Sequence, residues 1–334
     1  MLDHNKKRAA FEDITNASKD GVWTDKSAPC LRPCSERCAS VPPPLPWWLD
    51  RSPFPVDFDA EDAGDPCACG LHAAEIYANL RVSERRLRPC TSYMESVQTE
   101  INPLMRSILV DWLVEVAQEY RLCSDSLFLA VALLDRYLSR RRVPRARLQL
   151  AGVACALVAA KYEEIYAPAV DDFVYITDGT YARDEVLAAE RDVLQALDHS
   201  LTAPTPKVFL RRAVRAAAAQ LDADAAFEHL AAYCAELALL DYQMLRFLPS
   251  QVAAACVLVA LAALGRRPWS ATLVAATGYA PPDLRAPAQA VHALLLNARK
   301  SALPAIRDKY ASRRLGGVSQ LGLAEKLPSW LWKP

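Results

Sequence analysis

The chain has 334 residues, 52% of them apolar, with 39 basic and 39 acidic side chains and a formal net charge of zero. Such a balance supplies no field to draw the molecule onto nucleic-acid phosphates or an anionic membrane, so a partner must be held by a shaped surface. The length exceeds one ordinary domain and suits two domains plus unstructured sequence.

Residues 1–70 read as a leader. Val41-Pro-Pro-Pro-Leu-Pro46 and Arg51-Ser-Pro-Phe-Pro55 remove backbone donors and restrict the residues before each proline, so disorder is expected there. Met1-Leu2-Asp3-His4-Asn5-Lys6-Lys7-Arg8 has no apolar run behind its charges and is not a secretory signal. The longest apolar run, 148–160, stops at Lys161, short of the roughly 20 residues that cross a bilayer. A soluble, intracellular protein with no membrane or nucleic-acid partner is expected. Ten cysteines are scattered along the chain. Cys30, Cys34 and Cys38 recur every four residues and Cys67 lies near Cys69, but paired C-x2-C knuckles are missing, so neither metal nor cofactor is expected. Cys155, Cys234 and Cys256 are expected as thiols filling helix cores.

Over 71–100 the spacing of Ile76 and Leu80 predicts a short outlying helix, followed by a polar link around Pro89. Residues 101–202 predict five helices. Met105, Ile108, Leu109, Trp112 and Val116 form a wide apolar stripe on the first, entered at Asn102 with Pro103 in its opening turn. Helices are expected next at 124–138, 145–165, 170–176 and 183–197, the third apolar all round and therefore the buried hub. After Thr202-Ala-Pro-Thr-Pro206 the grammar repeats over 203–312, with helices at 207–219, 223–240, 249–264, 270–277 and 283–300, the third again the most apolar. Residues 313–334 form a tail. The fold class is thus all-α, two tandem five-helix modules behind a short helix and a Pro-rich leader.

Met105-Arg-Ser-Ile-Leu-Val-Asp-Trp-Leu-Val-Glu-Val116, Leu148-Gln-Leu150 and Ala160-Lys-Tyr-Glu-Glu-Ile-Tyr166 resemble the first box of the cyclin family. Leu237-Ala-Leu-Leu-Asp-Tyr242, Phe247-Leu-Pro-Ser250 and Ala305-Ile-Arg-Asp-Lys-Tyr310 resemble the carboxy-terminal box of its mitotic members. Val114-Glu-Val-Ala-Gln-Glu-Tyr120 and Phe173-Val-Tyr-Ile-Thr-Asp178 are most similar to the A-type branch in its plant and algal form. The resemblance covers residues 70–320. It implies two tandem cyclin boxes and a non-catalytic activating subunit of a cyclin-dependent kinase, at work in S phase and G2/M, in the nucleus and also the cytoplasm.

The same resemblance implies that Lys161 and Glu190 grip the kinase, with Ile76, Tyr162, Leu194 and Leu201 as apolar contacts. Position 199 carries His199 where the A-type pattern has an aromatic Phe, adding a titratable ring nitrogen. Glu190 shares its helix face with Val186, Val193, Leu194 and Leu197, so its carboxylate sits in an apolar stripe and needs a partner. The plain alternative for each charge is a side chain snorkelling to water or a surface pair. Met105, Ile108, Leu109, Trp112, Glu115 and Gln149 match the family groove for Arg-x-Leu-containing substrates and inhibitors, which requires a Trp and Met patch left partly open. By spacing alone those residues are plain core. Arg106 and Asp135 match the family's internal ion pair and are read as structural. Arg8, Phe11, Ile14 and Asn16 resemble a destruction box with Phe11 in place of the usual Leu, implying ubiquitin-ligase machinery as a partner, and Ser52-Pro53 is a candidate phosphosite.

A two-repeat helical transcription factor, similar to initiation factor IIB, is the competing reading. The zero net charge and the lack of an amino-terminal zinc ribbon weigh against it. For an enzyme, the sequence offers no Gly-rich phosphate loop, no H-E-x-x-H and no nucleophile elbow, and its five histidines are dispersed.

Overall fold

The computed structural model describes residues 57–60, 64, 69–219, 224–266, 269–322 and 324–332. Among these residues the regular structure is helical and contains no strand. The first module holds α1 (Ala73–Arg86), a single-turn α2 (Tyr93–Ser96), α3 (Pro103–Glu119), α4 (Ser124–Leu138), α5 (Leu148–Glu163), α6 (Val170–Ile176) and α7 (Arg183–Ala196). The second holds α8 (Pro206–Ala218), α9 (Ala225–Leu240), α10 (Pro249–Ala263), α11 (Ala271–Thr277), α12 (Arg285–Asn297) and α13 (Ala305–Ala311).

Local chemistry starts these helices where the sequence expects them. Asn102 Oδ1 accepts the Met105 N–H at 2.9 Å and Pro103 occupies the first turn of α3, where its missing donor costs nothing. Asp224 caps α9 and Ser270 caps α11 in the same way. The predicted hubs are real. All thirteen residues from Leu148 to Ala160 of α5 are buried, and so is the run Val252 to Leu261 of α10. Both helices are rich in Ala, so neighbours can approach closely. At Gly152 the approach is closest, because a Cβ there would stand 2.8 Å from Cδ1 of Leu109, where α3 crosses α5. α3, α4, α6 and α7 surround the first hub; α8, α9 and α12 pack on the second. Cys155, Cys234 and Cys256 are fully buried, and burial pushes the Cys234 thiol up to about 12.

A buried guanidinium joins the two modules. Arg106 Nε and Nη2 donate to the two Asp135 oxygens at 2.6 and 2.7 Å, and Tyr93 Oη donates to Oδ1 at 2.9 Å. Arg106 Nη1 then donates to the Leu239 carbonyl at 2.8 Å, and Ser107 Oγ to that of Leu240 at 2.6 Å. One charged cluster therefore locks α3, α4 and α2 of the first module and caps the C-terminal end of α9 in the second. Arg106 and Asp135 are 1% and 2% exposed.

Two expectations are corrected and one is filled in. The helix around Ile76 is not outlying, because α1 docks on the second module. Glu84 is buried and accepts the Ser250 N–H at 2.9 Å and Oγ–H at 2.8 Å, Arg81 reaches Ser250 and Tyr279, and Tyr77 meets Phe209 edge-on at 5.6 Å. Part of the leader is also ordered by contact. Asp59 takes two hydrogen bonds from Arg212 of α8 at 2.8 and 2.7 Å, and that guanidinium lies over the rings of Phe58 and Tyr77. The proline pattern hid this because a bidentate ion pair and a stacked ring need no helical periodicity. The tail, finally, wraps the second module, with Val318 and Leu331 buried and Arg299 Nη2 donating to the carbonyls of Gln320 and Leu321.

Replacing Arg106 by Met would leave the Asp135 carboxylate buried without its cation and the end of α9 uncapped. Urea unfolding should show a loss of about 3–5 kcal/mol, partly recovered when Asp135→Leu is added, since the pair then leaves no orphaned charge. A single-variant loss below about 1 kcal/mol would show that the cluster is not what joins the modules.

Candidate functional site

α5 ends where it does because of one carboxylate. Glu164 leaves the helix in extended conformation, and its Oε1 accepts the Cys123 N–H at 2.7 Å and the Ser126 Oγ–H at 2.6 Å at the start of α4. Burial opposes its ionisation, but these bonds outweigh it and hold the Glu164 carboxyl below the usual carboxylate range. The chain that follows is thrown outward, and Ile165 and Tyr166 are 91% and 93% exposed. The helix expected to run to 165 therefore closes at Glu163, turning two apolar side chains from the end of a hub into surface.

Beside this loop, Lys161 Nζ donates to Glu190 Oε1 at 2.6 Å, joining the last turn of α5 to the middle of α7. Their side chains are 45% and 12% exposed, so the carboxylate lies in the apolar stripe and the ammonium reaches the surface. The partner that Glu190 was expected to need is thus Lys161. Tyr162 is exposed and shares a 2.6 Å hydrogen bond with Thr202, which brings the segment carrying Leu201 against α5. Leu194 and Leu201 are half-buried against the core, and Tyr175 on α6 is exposed. Ile76 is exposed on α1, presented from the side of the second module. His199 is exposed and, with Asp198, adopts left-handed backbone at φ 55° and 54°. That turn is clamped by Arg140 Nη1, which donates to Ala196 O and Asp198 Oδ2, each at 2.7 Å. The result is a charged pair at the end of α5, with exposed Tyr162, Ile165 and Tyr166 following Lys161 along the chain.

The second expected site is less open than its reading required. Met105 and Trp112 are only 2% and 4% exposed, Leu109 and Gln149 are buried as well, and Ile108 and Glu115 are half-buried. The cause is the position of α3, held against α5 on one side and against α9 and α13 on the other. Leu104 remains exposed at the start of the helix, so the accessible strip runs from Leu104 through Ile108 to Glu115 above a buried floor. Between these residues, buried Asp111 faces α13, where its Oδ1 accepts the Ala305 N–H at 3.2 Å. Burial, reinforced by Glu115 and Asp308 and opposed by the Ala305 hydrogen bond and by Arg307, raises the Asp111 carboxyl to about 7.

Sequence spacing missed Ile165, Tyr166 and Asp111. Asp111 carries no local signal, since what buries it and supplies the Ala305 N–H is the approach of α13. Arg8, Phe11, Ile14, Asn16 and Ser52 lie outside the described residues, as do Cys30, Cys34, Cys38 and Cys67. Among the described residues no group of three or more His, Cys, Asp or Glu side chains is placed to hold a metal ion, and no helix is long and apolar enough to cross a membrane.

The family model for the cyclin N-terminal domain matches residues 75–202, and that for the cyclin C-terminal domain matches residues 204–322. Cyclin-A1-1 of Arabidopsis thaliana is 49% identical over 268 residues, covering 79% of this chain and 58% of that protein. Cyclin-A1-1 of Oryza sativa subsp. japonica is 46% identical over 291 residues, covering 84% and 57%. The chain thus spans less than two thirds of the length of these relatives. Among solved structures, a viral cyclin from herpesvirus saimiri superimposes with a TM-score of 0.55 at 23% identity, over 65% of this chain and 93% of that one, a likeness of fold.

The Asp111 geometry has a signed consequence. Its carboxyl titrates higher in the folded chain than the ordinary 3.8, so the fold favours the protonated form, and stability falls as pH rises from about 4 through about 7. Asp111→Asn keeps an acceptor for Ala305 without the charge. Urea unfolding at pH 8 should find it more stable than the parent by about 1–3 kcal/mol, with the difference closing toward pH 4; a pH-independent difference would mean that folding leaves the Asp111 carboxyl at its ordinary value.

Proposed function

Because the chain belongs to the cyclin family, whose two domain models match its two helical modules in turn, we propose that it is the activating regulatory subunit of a cyclin-dependent serine/threonine kinase, acting in S phase and at G2/M. The observation that carries this is the Lys161–Glu190 pair set among exposed Tyr162, Ile165 and Tyr166. Each member holds the other in one rotamer, yet the ammonium still has two N–H donors to offer and the carboxylate a second oxygen. A partner that presents backbone carbonyls and amides beside an apolar helix would be gripped without first having to order these side chains.

The protein contributes differential binding. A kinase that alternates between a displaced and an active arrangement of its C-helix and activation segment is shifted toward whichever one this surface fits better. His199, standing where the A-type pattern has a Phe, offers a smaller and more polar contact at the edge of that surface. The strip from Leu104 through Ile108 to Glu115 is the place for Arg-x-Leu-containing substrates and inhibitors, the leucine against the apolar floor and the basic residue near Glu115. The Arg8 to Asn16 motif is assigned to ubiquitin-dependent turnover, and the protein to the nucleus and also the cytoplasm.

Purified chain mixed with a monomeric cell-cycle kinase should stimulate histone phosphorylation strongly. Lys161→Ala with Glu190→Ala should weaken kinase binding at least tenfold, since truncating paired charges at an interface costs roughly 2–5 kcal/mol. Its own stability should stay within about 1 kcal/mol of the parent, because the pair is partly solvated. The absence of both stimulation and co-elution with any such kinase would overturn the reading. Ile108→Ala with Glu115→Ala should leave histone phosphorylation intact and reduce phosphorylation of an Arg-x-Leu-bearing substrate severalfold; equal losses on both substrates would remove the recruitment role from α3.

A further inference from the structure

A cavity of about 90 Å³ lies between the two modules, bounded by α4, the segment around Ala203–Pro206, α9, the turn before α10 and the end of α1. Its walls are mostly apolar, with Phe128, Ala132, Ala238 and Phe247 among them. Its charges do not balance. Arg88, Arg106 and Arg136 line it against two carboxylates, Glu84 and Asp135. Both carboxylates are already committed, Asp135 to Arg106 and Tyr93, and Glu84 to Ser250 and Arg81. Arg136 is only 4% exposed, and its Nη1 is buried without a hydrogen-bond partner. Nε of Arg88 is likewise buried and unpartnered, while its Nη2 donates to Leu245 O. Burial pulls the Arg136 guanidinium below its ordinary value, and Arg140 pushes the same way against a smaller opposing effect of Asp198.

A buried guanidinium without an acceptor is costly, and an arginine cannot escape the cost by losing its proton near neutral pH. An anion that brought its own acceptor atoms would relieve it. The apolar walls disfavour a strongly hydrated dianion such as phosphate and suit a short alkyl chain. The volume is well below the roughly 150 Å³ that accommodates benzene, so only a few carbons fit. We propose that this inter-module cavity binds a small monocarboxylate of two to four carbons, its carboxylate toward Arg136 and Arg88 and its alkyl end between α4 and α9.

The probe is sodium propionate, titrated into the full chain by calorimetry and by thermal melting at constant ionic strength, beside propionamide and inorganic phosphate. Propionate should give saturable heat and a rise in Tm, since a ligand of the folded state alone stabilises it by mass action. Propionamide, which keeps the shape and loses the charge, should bind at least tenfold more weakly, because hydrogen bonds to an ionised group are the stronger ones. Arg136→Met should abolish the effect. Ala132→Leu, which fills the cavity and keeps every charge, should abolish it too, and decides the matter if the arginine variant does not fold. No saturable binding, an equal response to propionamide or phosphate, or an undiminished response in the Ala132→Leu chain would each overturn the proposal.

Discussion

Arg106 meets a demand that every other element inherits. Two helical modules with apolar hubs would each bury their own stripes, but nothing in such stripes fixes one module against the other. A guanidinium has five donors in a rigid plane, and here three of them go to a carboxylate of α4 and a terminal carbonyl of α9. The desolvation cost is large, and it is offset only when all the partners arrive together. The cluster is therefore a test of assembly that a shifted register between the modules would fail. Asp111 against α13 makes a second polar crossing, and Glu236 a third, within the second module, accepting from Lys309 and Tyr310.

With α3, α4 and α9 fixed in this way, the far end of α5 becomes a rigid platform. Glu164 turns its carboxylate back to the start of α4 and so dictates where the apolar loop emerges. Lys161 and Glu190 then bridge two helices whose spacing is already set by the hub. Order is built from the interior outward, and what remains uncovered at the edge is apolar surface around a pre-paired charge. That is the form expected of a surface that receives a partner helix.

Much of this was legible in the residues. The two all-apolar hubs, the Asn102 and Pro103 start and the bounds of the helices at 124–138 and 170–176 follow from period, caps and composition. The need of Glu190 for a partner followed from its place in an apolar stripe. Other features had no local signal. The half-turn by which α5 ends early depends on a hydrogen bond to residues some forty positions away. The closure of Met105 and Trp112 depends on how α3 is wedged between helices of both modules. Even the docking of α1 rests on a buried glutamate, a residue type that one-dimensional patterns assign to solvent. Periodicity reports which face is apolar; it does not report what comes to lie on that face.

The contact of Phe58 and Asp59 with Arg212 changes where this molecule begins as a physical object. By composition the folded unit starts near residue 71, after the last of the leader's proline clusters. By contact it starts thirteen residues earlier, at Phe58, because Asp59 neutralises a mostly buried arginine and Phe58 closes the open face of its guanidinium. A fragment cut at the compositional border would carry a naked cation on α8 and an uncovered edge on Tyr77, the residue next to Ile76. The segment at 58–59 is consequently tethered to α8 ahead of α1, and whatever pulls on it is mechanically coupled, through Arg212 and Tyr77, to the helix that displays Ile76.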